Sequence, residues 1–400
     1  MKEPKLRFKS DDGNQYPKWE EKRLEEVAVR ITRKNKDNHT DIPLTISSLD
    51  GLIDQRDFFN KIVASKDLSG YYLLKRGEFA YNKSYSKGFD FGSIKRLNLY
   101  DEGALSTLYI CFALNDNEDS DFYQKYFDSL SWYPELQKIC AEGARNHGLL
   151  NVSTNDFFQL KLHVPTSKEE QQKIASLFTE LDNLIQSAQK ELEGYRELKQ
   201  GMLQKMFPKK GEKVPDVRFP EFSGDWEQRK LGDVVQITMG QSPDGSTYSD
   251  EPSDYILVQG NADLQNGWVC PRVWTTQITK KADAGDLIMR VRAPAGAMGK
   301  TAYNAVIGRG VAAIKGNEFI YQLLIKMDKE GYWKKDSTGS TFESLNSSSI
   351  KNAEIKLPTL EEQNKIGEYF QNLDSLIASQ QQELDGYKEL KKGLLQQMFC

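Results

Sequence analysis

The sequence predicts a mixed α/β fold built by internal duplication, in which two dissimilar segments are each followed by a long helix. Two stretches, residues 169–207 and 361–399, align without a gap and are identical at 24 of 39 positions. The starts of the two halves also repeat, because Trp19-Glu20 matches Trp226-Glu227 within similar surroundings. The parts between these repeated ends do not resemble each other. A repeated frame with two different inserts predicts one task performed on two different targets.

The two inserts, residues 25–160 and 232–350, have the pattern of mixed α/β structure with short strands. Runs of apolar or alternating residues between glycine-containing turns predict strands, and two longer segments have the pattern of helices. The strand patterns lie in Tyr71–Tyr81, Ile256–Gln259 and Leu287–Arg292, and the helix patterns in Phe122–Cys140 and Phe319–Tyr332. The polar, glycine-containing segment Lys209–Val214 is typical of a linker.

The repeated stretches predict long helices of the coiled-coil type. Apolar residues recur at alternating spacings of four and three for about three heptads. The seam positions are Ile174, Phe178, Leu181, Ile185 and Leu192 in the first copy, and Ile366, Phe370, Leu373, Ile377 and Leu384 in the second. Pro165-Thr166-Ser167 and Pro358-Thr359 precede the helices and supply start signals. Because neither helix can bury its apolar stripe alone, the expected partner of each copy is the other.

Length and composition are those of an ordinary water-soluble protein. The 400 residues allow about two to four domains. No apolar run approaches the roughly 18 residues of a membrane-spanning helix, and the first residues lack the core of a signal peptide. We therefore expect a cytoplasmic protein that is not associated with a membrane. The four cysteines and three histidines are scattered and show no metal-binding spacing.

Charge is distributed unevenly, although the net charge is only −4. Residues 272–315 contain eight lysines and arginines against two aspartates, and residues 75–96 contain six against two acidic residues. Each insert therefore has a basic patch, while acidic residues concentrate elsewhere. Such separation lets a protein direct a polyanion to one face. The alternative for either patch is ordinary solvated surface charge.

Motifs for catalysis are not found. Residues 294–301 approach a phosphate-binding loop, but Pro294 occupies the place of the first glycine, and a strand and turn follow where a helix is required. The chain also lacks a motif for amino-methyl transfer, a glycine-rich S-adenosylmethionine loop and a nuclease core of paired carboxylates and lysine. We therefore predict that this chain is not an enzyme.

The combination of inserts and helices resembles a known family. Each insert ends in a Pro-Thr helix start followed by Glu-Glu-Gln, then by Leu-Asp-x-Leu-Ile and by Gly-Tyr-x-Glu-Leu-Lys-x-Gly-x-Leu-Gln-x-Met-Phe. Residues 240–243 open the second insert as Gly-Gln-Ser-Pro, and residues 70–97 resemble one recurrent type of target recognition domain. Over its whole length the chain resembles the specificity subunit of type I restriction-modification systems.

This resemblance implies an architecture and a set of partners. Residues 1–165 and 208–357 would be target recognition domains, each reading one half of a bipartite sequence in double-stranded DNA. The helices, residues 166–207 and 358–400, would form an antiparallel intramolecular coiled coil with pseudo-twofold symmetry that spaces the domains and docks two modification subunits. Those subunits carry S-adenosylmethionine and methylate adenine, and restriction subunits add ATP-driven, Mg-dependent translocation. No cofactor is expected in this chain.

Polar, aromatic and cationic side chains in the inserts are the candidates for DNA contacts. Amides and hydroxyls suit base edges, and cations suit phosphates or guanine. The candidates are Asn82, Lys83, Ser84, Tyr85, Ser86, Lys87 and Arg96 in the first domain, and Gln241, Ser242, Asn261, Arg290, Arg292 and Lys300 in the second. For each of them, a surface position away from DNA is the alternative.

Two other functions have to be weighed against DNA recognition. A coiled-coil scaffold that binds only proteins would share the helices, but it would not need two dissimilar basic inserts. A self-sufficient restriction enzyme would need the methyltransferase and nuclease motifs that are missing here. The sequence favours a DNA-recognition subunit that works with catalytic partners.

Overall fold

The computed structural model describes residues 3–59, 64–140, 145–146, 149–337 and 344–400. The chain divides into two compact units, of which the first is Met1–Ser187 with Glu383–Cys400 and the second is Ala188–Gln382. Both divisions fall inside long helices, so each unit contains a part of each helix. Among the helices of the described residues, none is both long and apolar enough to cross a membrane.

The two repeated stretches form uninterrupted helices, the central helix Lys168–Lys205 and the C-terminal helix Leu360–Met398. Their starts follow the predicted cap residues, because the Ser167 and Thr359 hydroxyls each accept a hydrogen bond of 3.4 Å from a backbone N–H in the first turn. Of the predicted seam positions, Ile185 and Ile377 are half-buried and the other eight are buried.

Within each unit, the central and C-terminal helices pack antiparallel. In the first unit, Lys391 Nζ donates to Asp182 Oδ1 at 2.5 Å, and the Phe178 and Phe399 ring centroids are 5.6 Å apart. In the second unit, matching positions of the repeat make the same contacts. There Lys199 Nζ lies 2.5 Å from Asp374 Oδ1, and the rings of Phe207 and Phe370 lie 6.0 Å apart. The predicted pairing of the two copies within the chain is confirmed.

Asp182 also joins the first insert to the helices. Its second carboxylate oxygen accepts a hydrogen bond of 2.6 Å from the buried Lys125. Burial acts to raise the pKa of Asp182, but the hydrogen bonds and charges of Lys125 and Lys391 outweigh it and hold this pKa below its usual value. The carboxylate is therefore charged at neutral pH and connects three helices.

A short antiparallel strand pair closes each insert. Glu20–Arg23 pairs with Lys161–Val164 in the first unit, and Glu227–Lys230 pairs with Glu354–Leu357 in the second. The two ends of each insert therefore lie side by side next to the start of a long helix. The insert between them can differ in sequence without disturbing this frame.

The first insert is built on two four-stranded sheets. In spatial order, one sheet contains Ala28–Arg30, Ile110–Leu114, Phe79–Asn82 and Ser93–Arg96, and the other contains Gly51–Asp54, Pro43–Ser47, Glu102–Leu105 and Tyr72–Lys75. Helices in this unit cover Leu24–Val27, Gln55–Phe59, Ser120–Asp128, Tyr133–Ile139 and Thr154–Phe158, and a strand pair joins Arg145–Asn146 to Leu149–Leu150. Aromatic rings fill the core, with Tyr81 stacked on Phe157 at 4.6 Å.

The second insert contains a six-stranded and a five-stranded sheet. The first has the order Gln236–Met239, Val311–Lys315, Leu287–Arg290, Met298–Lys300, Trp268–Val269 and Leu264–Gln265. The second has the order Tyr248–Ser249, Trp274–Thr275, Tyr255–Val258, Ala305–Ile307 and Lys281–Ala282. The α-helices are Leu231–Val234, Glu318–Lys329 and Ser347–Lys351, and 3₁₀ turns cover Gly245–Thr247, Asn261–Asp263 and Tyr332–Ser337, with another at Lys36–Asn38 in the first unit.

Most predicted elements are confirmed, but one helix is wrong. The strand predictions within Tyr71–Tyr81, Ile256–Gln259 and Leu287–Arg292 each overlap observed strands. The segment Phe122–Cys140 is not one helix, because the chain turns between two helices at Leu130, whose φ is +61°. Pro134 lacks a backbone N–H and fits only the first turn of a helix, where it is found.

A buried ion pair ties the start of each half of the duplication to a long helix. Arg7 binds the carboxylate of Glu170 through two hydrogen bonds of 2.8 Å. Arg218 binds Glu362 in the same way, at 2.8 and 2.7 Å. Both glutamate side chains have no exposed surface. The duplication has therefore preserved a charged clamp as well as the apolar seam.

Candidate nucleic-acid interface

Three loops of the second insert converge on one another. They contain residues 240–242, 259–261 and 308–310, and we call them the loop cluster. Glycine permits their close approach, since a Cβ at Gly240 would lie 2.0 Å from the Gly308 carbonyl oxygen, and one at Gly310 would lie 1.9 Å from that of Gln259. Residues from distant parts of the sequence therefore meet at one place.

The loop cluster brings together several side chains that the sequence identified. The Gln241 backbone N–H donates to the Ile307 carbonyl at 2.8 Å, and residue Gln241 is exposed. The Ser242 hydroxyl accepts a hydrogen bond of 3.1 Å from the Arg309 backbone N–H. Asn261 lies on the loop of residues 259–261 and is exposed. Ser242 thus holds two loops together, while Gln241 and Asn261 present amides at the surface.

Arg290 supports the cluster from inside. It ends the strand Leu287–Arg290, and only 7 % of its surface is exposed. Its Nη1 donates a hydrogen bond of 2.7 Å to Asn261 Oδ1. The next residue, Val291, donates its backbone N–H to the Gly310 carbonyl at 2.9 Å, which joins this strand to the loop cluster. The structure therefore gives Arg290 a protein partner.

The cations around the loop cluster differ in exposure. Arg292 is exposed and its backbone pairs with Ser344 in an isolated bridge. Arg309 is also exposed and lies between Gly308 and Gly310. It belongs to the basic stretch of residues 272–315 but is not among the candidates that the sequence predicts. The Gly-Arg-Gly pattern could have identified Arg309 in the sequence, because glycines on both sides allow the backbone of the loop to pack closely against its neighbours.

Lys300 lies outside the loop cluster. Its Nζ is 2.7 Å from Glu318 Oε2, and it stands 4.3 Å from the centre of the Tyr321 ring and 5.2 Å from the Trp268 ring. These contacts connect the strand Met298–Lys300 to the helix Glu318–Lys329. The segment that resembled a phosphate-binding loop thus leads into a strand and an intramolecular ion pair.

In the first insert, five candidates lie on the hairpin loop between the strands Phe79–Asn82 and Ser93–Arg96, namely Lys83, Ser84, Tyr85, Ser86 and Lys87. Asn82 ends the first of these strands next to the loop, and Arg96 ends the second strand far from it. Ser48 contacts this loop from a neighbouring turn, with its hydroxyl 2.9 Å from that of Ser86 and 3.0 Å from that of Ser93. Ser86 also pairs with Phe89 across the loop. The hairpin loop is therefore held by hydroxyl contacts and has a defined shape.

Several side chains of this hairpin loop serve the fold. Asn82 Oδ1 accepts a hydrogen bond of 2.9 Å from the Ser84 N–H, and Lys83 Nζ lies 3.4 Å from the Val152 carbonyl oxygen. Tyr85 is 50 % exposed, and Lys87 is also exposed. Tyr85 and Lys87 are thus the most accessible of the predicted contacts on this loop.

Arg96 has three partners within the first unit. It donates to the Ser120 hydroxyl at 2.9 Å and to Asn98 Oδ1 at 2.8 Å, and it forms an ion pair of 2.8 Å with Asp121. These contacts fasten its strand to the helix Ser120–Asp128. In the described ranges, no group of three or more histidine, cysteine, aspartate or glutamate side chains is arranged to hold a metal ion.

Comparison with known proteins identifies the family. The family model for the type I restriction modification DNA specificity domain matches residues 16–194 and 223–386. A protein of Methanocaldococcus jannaschii, named as the type I restriction enzyme MjaX specificity subunit, is 26 % identical over 97 % of this chain and 94 % of its own length. The MjaVIII specificity subunit of the same organism is 23 % identical over 74 % of this chain and 73 % of its own length.

Solved structures share the fold. A structure concerning complex assembly and conformational transition of the type I R-M system covers 95 % of this chain and 97 % of its own, with a TM-score of 0.59 and 24 % identity. The S subunit of a type I restriction-modification system from M. genitalium covers 100 % and 99 %, with a TM-score of 0.63 and 13 % identity. The chain, with one match in each half, belongs to the family of type I restriction modification DNA specificity domains.

Proposed function

We propose that this chain is the DNA-recognition subunit of a type I restriction-modification complex, in which residues 1–165 and 208–357 each read one half of a bipartite site. The observation that carries the proposal is the pairing of matched frames with unmatched inserts. Each insert is closed by a strand pair of the same kind and is followed by a helix of the same kind. Only the inserts differ, as expected when each recognises a different sequence.

The exposed side chains suggest how each domain meets DNA. In the second domain, Arg292 and Arg309 suit phosphates, while Gln241 and Asn261 present amides suited to base edges. In the first domain, Lys87 suits a phosphate, and Tyr85 offers a ring with a hydroxyl. Phosphate contacts would fix the position of each domain on the duplex, and amide contacts would supply sequence discrimination.

The long helices supply the other part of the function. We propose that they space the two half-sites and bind two modification subunits. In support, each helix exposes leucines at matching positions of the repeat, Leu184 with Leu376 and Leu198 with Leu390. Exposed leucines at repeated positions are expected where a protein partner binds twice. S-adenosylmethionine, ATP and Mg would be bound by the modification and restriction subunits, which we place with this chain in the cytoplasm beside their DNA substrate.

Exchange of one insert tests the proposal. Replacing residues 25–160 with the insert of another specificity subunit should change one half of the methylated sequence and leave the other half as it was. Sequencing of methylated adenines in a host that expresses the complete complex gives the answer. A change in both halves, or no methylated motif at all in an assembled wild-type complex, would refute the proposal.

The absence of catalysis in this chain is tested separately. Purified chain without partners should neither methylate DNA nor hydrolyse ATP, and addition of modification subunits should restore methylation. Methyl transfer by the isolated chain would overturn this part. A scaffold that binds only proteins is the less favoured function, because it gives no reason for two loop regions that present cations, together with a tyrosine in the first insert and with amides in the second. Sequence-selective DNA binding by the assembled complex separates the two.

A further inference from the structure

Arg290 is a buried cation whose chemistry points to a role beyond the stability of the sheet. It lies between two neighbouring strands, and its backbone N–H donates to the Ala297 carbonyl at 2.9 Å. Burying a guanidinium is costly unless hydrogen bonds compensate it. Among the described residues, no carboxylate lies within ion-pairing distance of Arg290, and the hydrogen bond of its guanidinium goes to the amide oxygen of Asn261 at 2.7 Å.

This contact determines which way the Asn261 amide faces. A guanidinium has only donors, so the amide oxygen must point toward Arg290. The amide nitrogen Nδ2 then points away from Arg290, on a residue that is exposed. Within the described part of the chain, Nδ2 has no hydrogen-bond partner. Asn261 therefore offers the solvent an amide donor, while its acceptor is used internally.

The backbone that carries Asn261 is also fixed. Asp263 Oδ2 accepts hydrogen bonds from the backbone N–H groups of Gln259, at 2.8 Å, and of Gly260, at 3.1 Å. Asp263 itself is buried. The loop shape and the amide orientation are thus set by separate contacts. A donor held in this way can discriminate between bases because it does not need to be ordered on binding.

We infer that Arg290 is a positioning residue for DNA recognition, and that Asn261 is a donor-only contact to one base pair of the second half-site. This inference rests on the proposed function. An asparagine with both amide atoms available can bind adenine through a donor and an acceptor. Because its oxygen faces Arg290, Asn261 presents its amide nitrogen, which selects an acceptor on the base edge, such as guanine O6 or N7, thymine O4 or adenine N7, and disfavours the amino groups of cytosine and adenine.

The decisive variant is Asn261→Asp, in the complete complex with modification subunits. Aspartate has nearly the same shape and keeps an oxygen toward Arg290, but its outward atom becomes an acceptor. The wild-type motif is first read from methylated adenines. Duplexes altered one position at a time are then compared in competition binding. The preferred base should change at one position of the second half-site, with relative affinities shifted about 5- to 30-fold.

Arg290→Met tests the positioning role. Without the guanidinium, the Asn261 amide can rotate and present either atom, so discrimination should fall at the same position and persist at the others. A merely structural role would lower binding evenly and leave base preference unchanged. If this variant fails to fold, Asn261→Asp still decides the question. Asn352→Asp is the matched control, because Asn352 also accepts from a cation, Lys230, at 3.2 Å but lies outside the loop cluster.

The outcomes separate this inference from the proposed function. A bipartite wild-type motif with one position altered by Asn261→Asp supports both. A bipartite motif that Asn261→Asp leaves unchanged, or whose binding it weakens evenly, overturns the inference and leaves the proposed function standing. Equal weakening of binding to all the duplexes would show that the Asn261 donor contacts a phosphate. A wild-type complex without any sequence preference would overturn the proposed function itself.

Discussion

Replacing Arg218 with methionine should destabilise the second unit through the carboxylate that it leaves behind. Glu362 is fully buried, and its two oxygens accept hydrogen bonds of 2.8 and 2.7 Å from Arg218. Removing one partner of a buried pair costs about 3–5 kcal/mol, since the remaining charge has no compensation. Arg218 is 16 % exposed, so some water reaches the pair and the lower end of this range is expected.

Urea denaturation measures the loss, and hydrogen exchange locates it. The free energy of unfolding should fall by about 3 kcal/mol, with faster exchange in peptides of the second unit. Arg7→Met should produce a loss of similar size in the first unit, because Arg7 and Glu170 form the corresponding pair. The matched control is Arg229→Met, whose exposed ion pair with Glu227 should contribute less than about 1 kcal/mol.

A double substitution separates the pair from its surroundings. Arg218→Met together with Glu362→Met removes both charges and fills the space with apolar groups, so it should recover most of the lost stability. A loss of unfolding free energy from Arg218→Met that is no larger than the loss from Arg229→Met would contradict this prediction. The prediction is also wrong if the double variant is as unstable as the single one, because the buried carboxylate would then not be the cause.

Three further predictions concern spacing, pH and DNA affinity. One heptad added to each long helix, near Ser187 and Ser379, lengthens the helix by about 10 Å. The stretch of DNA between the two half-sites should then grow by at most about three base pairs. An unchanged distance between the half-sites in an active complex would contradict a spacing role. Asp182→Asn removes a carboxylate whose pKa is lowered in the folded state. The wild type should be more stable than this variant by its full amount above about pH 4, and this difference should vanish as pH falls through the lowered pKa. If the urea midpoints of the two proteins differ by a constant amount at every pH, the prediction is wrong. Lys87→Ala should reduce the slope of log affinity against log salt concentration by about one, because one phosphate contact is lost. The control Lys190→Ala, at an exposed position of the central helix, should leave this slope unchanged. Equal slopes for the two variants would show that Lys87 does not contact DNA.

Local patterns explain why much of the fold was predictable. The helix seam repeats every heptad, and residues such as Phe178 and Phe370 mark it in both copies, so the sequence alone indicates two helices that need each other. The helix starts at Ser167 and Thr359 are likewise encoded by adjacent residues. The prediction of one helix over Phe122–Cys140 is wrong for a local reason too, because Pro134 is a signal in the sequence against a continuous helix.

The candidate site was less predictable, because a sequence shows charges but not their partners. The sequence places Arg96, Arg290 and Lys300 in basic patches, yet each binds another group of its own unit. Arg309 lies in the same stretch of charge as Arg290 and Lys300, but it is exposed between the closely packed Gly308 and Gly310 of the loop cluster.

The duplication can be read from the sequence, as can the two long helices, the dissimilar inserts and the family they resemble. These follow from periodicity and repetition, which are properties of neighbouring residues along the chain. The folded chain is needed to show that Arg290 is buried against Asn261, and that residues 240–242, 259–261 and 308–310 meet. Such contacts join positions far apart in sequence, so burial and hydrogen bonding determine which cations remain available for DNA.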